Sequence, residues 1–170
     1  MLKVIQIVAL VQGLFLLLVF WKSKRNYRKI TFRLFCGSII SVILYIVGDD
    51  DNNLFVEDAD WFFFDSSLFL TFLFLYFKYF NSDKVAFLKR DYLFFLPSIF
   101  LFLSETLEIF SERENEFLEI AETLIEFVFL GYLIHILYNL LKTKRANRIL
   151  YLVVPIILTM SISYINGVLD

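Results

Sequence analysis

Acidic residues at helical spacing are the first candidates for chemistry in this sequence. Glu119, Glu122 and Glu126 are spaced i, i+3 and i+7 within an apolar segment, so they share one face of a helix. Placing a charged side chain in an apolar spanning segment costs about 2.5–3.5 kcal/mol on insertion scales, which makes such residues functional candidates by default. Crowded carboxylates of this kind can attract a cation, a basic peptide or a proton.

Further polar residues extend this candidate group. Asp65 lies within the first turns of another apolar segment, and Glu105 and Glu108 lie towards the end of a third. One interpretation is that the carboxylates line an acidic outer vestibule, and the full candidate ligand-binding set is Asp65, Glu105, Glu108, Glu119, Glu122, Glu126 and His135. The simpler interpretation, which we favour, is that the last helix of this group begins near Ile120 and its acids only solvate the outer end.

His135 is the single histidine of the chain. At about 100° per residue it lies some 180° around the helix from Glu126, so the two side chains cannot form an ion pair within one helix. We expect a hydrogen bond to a neighbouring helix rather than a proton relay.

Signatures of catalysis are missing from the sequence. It contains no HExxH motif, no GxSxG motif and no glycine-rich phosphate loop. One His and one Cys exclude a His/Cys metal cluster. We therefore expect no enzymatic activity, no cofactor and no metal.

Composition places these residues in a membrane. Of the 170 residues 59% are hydrophobic and 19% aromatic, against roughly 45–50% apolar residues in soluble domains. A spanning helix needs about 20 mainly apolar residues. Six segments meet that requirement and predict one integral membrane domain over 1–170, an all-α bundle of six spanning helices at about 4–21, 30–47, 61–80, 92–110, 117–141 and 149–169.

The links between these segments alternate in charge. Fourteen of the 16 Lys and Arg residues fall in or beside the first, third and fifth links, and 16 of the 18 Asp and Glu residues fall on the other side. Basic links lie in the cytoplasm by the positive-inside rule, so we predict that the amino terminus is outside. Six spans that start outside also end outside, and we expect the domain to belong to a bundle of seven or more helices.

Small residues and one proline predict details of packing. We expect Gly13, Gly37 and Gly131 to permit close contacts between helices, although no GxxxG spacing occurs. Pro97 either kinks the fourth helix or lies close enough to its first turn to leave it straight.

Two stretches carry a family resemblance. Gln12-Gly13-Leu14-Phe15 is followed by the basic run KSKRNYRKITFRLF, and Leu75-Tyr76-Phe77-Lys78 is followed, after a short charged link, by the run from Arg90 to Pro97. Over about residues 5–100 this resembles the membrane-embedded AraC-type transcriptional regulators of bacteria, in which a Tyr-x-Lys/Arg step, a short link, an aromatic run and a proline recur between the third and fourth helices. Membrane regions of sensor histidine kinases remain an alternative.

The resemblance implies a membrane sensor or anchor domain that passes an outer or intramembrane stimulus to a cytoplasmic output domain. The family's helix-turn-helix domain is absent from these 170 residues, so we expect no direct nucleic-acid contact. Expected partners are the lipid bilayer and a small ligand or peptide, with a homodimer left open, in the bacterial cytoplasmic membrane. The alternative function is a small transporter or channel that uses the outer acidic residues.

Overall fold

The computed structural model describes residues 2–22, 24–26, 28–48, 66–80, 82, 86–111 and 116–142. Within these residues the chain forms five α-helices, α1 Leu2–Lys22, α2 Lys29–Gly48, α3 Ser66–Phe80, α4 Leu96–Ser111 and α5 Glu116–Lys142. The all-α prediction is thereby confirmed for the part of the chain that is described. The predicted segment 149–169 and Asp65 lie outside the described residues.

Two of the helices are long and apolar enough to cross a membrane, judged by length and composition. These stretches are Lys29–Val47 in α2, with 19 residues, and Ile120–Leu141 in α5, with 22 residues. At 1.5 Å per residue each reaches roughly 30 Å, the thickness of the hydrocarbon core. Shorter apolar stretches occupy Ile7–Lys22 in α1 and Ser67–Phe80 in α3.

Consecutive helices from α1 to α4 run antiparallel. Gly13, near the middle of α1, faces Ile43 in the second half of α2. Trp21, near the end of α1, meets Phe32 near the start of α2, with 6.3 Å between the ring centroids. In the α2–α3 pair the Phe35 and Tyr76 rings lie 5.3 Å apart. This up-and-down order brings the α1–α2 link and the α3–α4 link to the same end of the bundle.

The core forms around α3, which packs against α2, α4 and α5. Leu70 and Leu75 of α3 are completely enclosed, as are Phe129 and Ile136 of α5. A buried hydrogen bond between the Thr71 and Ser98 hydroxyls, 2.9 Å long, joins α3 to α4 within this apolar surrounding.

The glycine prediction is confirmed at Gly13 and Gly37, whereas Gly131 has no close neighbour among the described residues. A Cβ atom added at Gly13 would lie 2.9 Å from Ile43 Cγ1, and one at Gly37 would lie 2.7 Å from Phe72 Cε1. Both glycines therefore permit close approach of neighbouring helices. Among the described residues, a Cβ added at Gly131 would meet nothing within 4 Å.

Two helix starts resolve alternatives left by the sequence. Pro97 is the second residue of α4. A backbone N–H in the first turn of a helix has no acceptor within that helix, so the N–H that proline lacks costs no hydrogen bond and the proline does not interrupt α4. The expectation that α5 begins near Ile120 is wrong, because it begins at Glu116. Glu126 is therefore about 15 Å along α5, at 1.5 Å per residue.

Candidate functional site

A buried charged group connects the end of α3 to the start of the next helical segment. The Asp91 carboxylate has no exposed surface. The Lys78 Nζ atom donates to Asp91 Oδ1 at 2.8 Å, and the Tyr79 hydroxyl donates to Asp91 Oδ2. These three residues, Lys78, Tyr79 and Asp91, are called the Asp91 joint below.

Local structure on both sides positions the joint. Lys78 and Tyr79 lie in the last turn of α3, and Asp91 lies in the short 3-10 helix Lys89–Phe95 that precedes α4, here called the link helix. Leu88 before this helix is extended, with φ −82° and ψ 138°. Its N–H donates to the Tyr79 hydroxyl oxygen at 2.9 Å, and its carbonyl accepts from the Asp91 N–H at 2.9 Å. The link backbone and the side chains of α3 thus complete each other's hydrogen bonds.

Aromatic rings enclose the joint. The Lys78 Nζ atom lies 4.0 Å from the centroid of the Phe94 ring, a cation–π distance. The Tyr79 ring stacks on the Phe87 ring with 5.4 Å between centroids. The rings exclude water from the carboxylate, which strengthens its interaction with Lys78.

Charge and hydrogen bonding set the ionisation of Asp91. Burial by itself raises the pKa of the carboxyl, but the hydrogen bonds from Lys78 and Tyr79 and the positive charges of Lys78 and Arg90 outweigh it and hold the pKa below its ordinary value. Asp91 is therefore ionised at neutral pH and has no proton to donate. The joint acts electrostatically, as a connection between α3 and α4, and not as a general acid.

Helix α5 reaches the joint through one tyrosine. The Tyr132 ring stacks on the Phe74 ring of α3 at 4.4 Å, with 15° between the planes. Its hydroxyl donates to the carbonyl of Phe94 at 3.1 Å. Because Phe94 also lies under Lys78, a displacement of α5 acts directly on a residue that encloses the joint.

The other basic link is attached to the same end. The Arg28 guanidinium, just before α2, donates to the carbonyl oxygen of Ser82, which follows α3. Lys24 in the first link lies 5.1 Å from the centroid of the Trp21 ring. The α1–α2 and α3–α4 links therefore lie side by side.

The predicted acidic residues occupy α4 and α5, apart from Asp65, which lies outside the described residues. Glu105 and Glu108 belong to α4, and Glu119 belongs to the first turn and a half of α5. Glu122 and Glu126 are partly buried, and one carboxylate oxygen of each is fully enclosed. Glu122 and Glu126 are about one turn apart in α5, so they lie on the same face of this helix.

His135 lies away from the glutamates. Nine residues separate it from Glu126, about 14 Å along the helix axis. Its side chain is exposed, and its ring lies 5.0 Å from the Phe74 ring of α3. An aromatic contact to a neighbouring helix thus stands where the sequence predicts a hydrogen bond. In the ranges that the structure describes, no group of three His, Cys, Asp or Glu residues is placed to hold a metal ion.

Reasoning from the sequence missed the Asp91 joint. Asp91 is not among the predicted site residues, yet the structure buries it completely. A signal was present, because Lys78 and Asp91 both lie in the stretches that carry the family resemblance. Their separation of 13 residues has no helical period, and only the turn through Leu88 brings them together.

Comparisons with known proteins found no relative of this chain. No protein-family model, no curated protein and no solved structure matches the chain.

Proposed function

We propose that this chain is the membrane-embedded sensor and anchor domain of a signal-transducing transcriptional regulator of the AraC type. The observation that carries the proposal is the Asp91 joint. Lys78 of the Tyr-x-Lys step and Asp91 of the following run are paired in the structure, and these are the stretches in which the sequence resembles that family. Pro97, the last residue of the pattern, lies in the first turn of α4.

The proposal includes six spans with the amino terminus outside. Two helices have the length and composition of spans, and the remaining segments are included because of their apolar composition and the alternating charge of the links. Antiparallel packing supports this arrangement, since the Arg28–Ser82 contact places two basic links at one end. Under the positive-inside rule that end is cytoplasmic.

Signal transfer in this proposal runs along α3 and α5. A stimulus at the acidic end favours one packing of the helices over another and shifts the population between them. Tyr132 connects α5 to Phe94, and Phe94 encloses Lys78. A change at the outer end thereby alters the α3–α4 joint on the cytoplasmic side, where a helix-turn-helix output domain is placed by the resemblance.

Cysteine labelling tests the membrane arrangement. In the background of Cys36→Ala, which removes the single native thiol, Arg25→Cys and Lys89→Cys are introduced at the basic end and Glu116→Cys at the other. In intact cells an impermeant maleimide is expected to label only the Glu116→Cys variant. The Arg25→Cys and Lys89→Cys variants should be labelled only after the membrane has been permeabilised. Labelling of both ends from one side would overturn the proposed topology.

Transcript profiling tests the regulatory role. We expect deletion of the gene to change a small set of transcripts, the wild-type gene to restore them, and Asp91→Ala to restore them incompletely. Asp91→Asn, which keeps the shape and an acceptor oxygen, is the matched control and should restore more. An unchanged transcript profile in the deletion strain would refute the regulatory role.

A second candidate function is a small transporter or channel, favoured by the enclosed carboxylate oxygens of Glu122 and Glu126. Carboxylates on one face of a spanning helix can form part of a proton path. If this candidate is right, the reconstituted protein conducts protons across liposomes and Glu126→Gln abolishes the flux. Absent flux, or flux unchanged by Glu126→Gln, counts against it.

A further inference from the structure

One end of the bundle presents an exposed cationic surface built from both links. Its members, called the basic face, are Lys22, Lys24, Arg25, Lys29, Lys89 and Arg90, and each side chain is exposed. The first four come from the α1–α2 link and its flanks, and the last two from the link helix. The hydrogen bond from Arg28 to the Ser82 carbonyl holds the two links together, so these cations form one surface rather than two.

Burial of Asp91 withdraws its own negative charge from this surface. Within the described residues of the two links, Asp91 is the one carboxylate, and it has no exposed surface. It is neutralised by Lys78 at 2.8 Å. A bound anion therefore meets exposed cations without an exposed carboxylate among the described residues around it.

The edges of the basic face are aromatic and apolar. Trp21 and Tyr92 are each 64% exposed, and Leu93 beside Tyr92 is 62% exposed. Exposed tryptophan and tyrosine next to lysine and arginine are typical of the membrane–water interface, where the rings lie at headgroup level. A protein surface that binds nucleic acid does not require an exposed leucine beside its cations. A lipid surface therefore fits this combination of residues better.

We propose that the basic face binds the phosphate headgroups of anionic phospholipids, while Trp21 and Tyr92 lie among the headgroups and upper acyl chains. The inference rests on the proposed membrane location and adds a specific lipid partner. Each cation near an anionic membrane surface strengthens binding by about fivefold. The lipid would hold the two links in their adjacent positions beside the Asp91 joint.

Lipid titration of the purified full chain tests this inference. Phosphatidylglycerol is added to the protein in neutral detergent, with phosphatidylcholine as the uncharged comparison, and bound lipid is counted by native mass spectrometry. We expect binding of phosphatidylglycerol only. The triple variant Arg25→Gln, Lys29→Gln, Lys89→Gln should bind at least about tenfold more weakly. Raising the salt concentration to about 1 M, where the screening length falls to about 3 Å, should also weaken the binding of phosphatidylglycerol.

A charge-preserving variant separates charge from shape. Arg25→Lys, Lys29→Arg, Lys89→Arg keeps every cation and should retain the wild-type affinity. The thermal midpoint of each variant, measured in the same detergent, shows whether it is folded, and a folded triple glutamine variant with wild-type lipid affinity overturns the inference. Equal binding of phosphatidylcholine also overturns it, as does tighter binding of duplex DNA than of phosphatidylglycerol. These outcomes leave the cysteine-labelling result untouched, so the lipid site and the membrane arrangement fail separately.

Discussion

Helices α1 and α3 have similar apolar composition but opposite surroundings. In α1 the side chains of Phe15 and Leu18 are 64% and 70% exposed. In α3 the side chains of Leu70 and Leu75 are 0% exposed. The difference shows that the apolar composition of a helix does not determine whether its side chains are enclosed by neighbouring helices or left exposed.

Position in the bundle produces this difference. Helix α3 lies between α2, α4 and α5, whereas α1 packs chiefly on α2. The central helix also carries the polar contacts between helices, Thr71 to Ser98 and Lys78 to Asp91. If this comparison is right, substitutions around α3 destabilise the protein and equivalent substitutions in α1 do not.

The largest effect is expected from the charged end of α3. Asp91→Ala leaves Lys78 and the Tyr79 hydroxyl without their carboxylate, and breaking a buried pair by removing one partner costs about 3–5 kcal/mol. Unfolding in mixed micelles by SDS titration measures the loss. Asp91→Asn should lose less, because an acceptor oxygen remains, and equal stability of Asp91→Ala and the wild type would contradict the central role of the joint.

The second-largest loss of stability is expected from a cavity beside α3. Leu75→Ala removes a side chain that is completely enclosed, and we expect a loss of about 2–3 kcal/mol from the cavity left behind. Leu18→Ala in α1 is the matched control, with the same chemical change at an exposed position, and should change stability by about 0.5 kcal/mol or less. Similar losses for the two variants would remove the distinction between the helices.

Two glycines offer a smaller but cleaner contrast. In Gly37→Ala the new Cβ would lie 2.7 Å from the Phe72 ring, which itself packs 5.1 Å from the Phe95 ring. The ring cannot move without disturbing its neighbour, so we expect destabilisation of about 1–3 kcal/mol. Gly131→Ala meets open space and should be neutral or slightly stabilising, since alanine favours a helix. The same SDS titration decides between them.

The hydrogen-bonded hydroxyl pair between α3 and α4 should contribute less to stability than the glycine contact. Thr71→Val keeps the shape of the side chain and removes the 2.9 Å hydrogen bond to Ser98. Hydrogen bonds between helices in a bilayer average about 0.6 kcal/mol in double-mutant cycles. A cycle with Ser98→Ala isolates the pair, and a coupling energy near zero would show that water or backbone replaces the lost partner.

The smallest change is expected from mild acid. Because the folded-state pKa of Asp91 is lower than its ordinary value of 3.8, the stability from its ionisation is present above the unfolded-state pKa and is lost as pH falls through the folded-state pKa. The wild-type-minus-Asp91→Asn stability difference should therefore be constant from pH 7 to about pH 5 and shrink only below about pH 4. A decline of that difference between pH 7 and 5 would contradict an ionised, paired Asp91.

Sequence reasoning succeeded where a property belongs to one segment. Apolar runs predict an all-α chain, and the described helices agree. Gly37 and Gly13 were identified as contact points because a small residue in an apolar helix permits close approach. Gly131 shows the limit of that inference, since the same residue type has no close neighbour in the part of the chain that the structure describes.

The candidate site was less accessible from the sequence. Glu122 and Glu126 could be placed on one face because helical spacing alone determines that, and their partial burial agrees with a position inside the bundle. Asp91 is not among the residues that the sequence predicts for a site, because its position in the link gives no sign of burial. Its burial depends on the extended Leu88, whose carbonyl accepts from the Asp91 N–H within the link and whose N–H finds its partner, the Tyr79 hydroxyl, only when the link folds back on α3.

By itself the sequence determined the helical class and the alternation of basic and acidic links along the chain. Each follows from the composition of one segment or the order of its neighbours. The tertiary structure decided which apolar helix is central, which glycines touch a neighbour and which carboxylate is buried. These depend on residues far apart in the chain, such as Lys78 with Asp91 and Arg28 with Ser82. In a chain this apolar, hydrophobicity alone does not determine which side chains are enclosed by neighbouring helices, so packing and buried polar contacts make that choice.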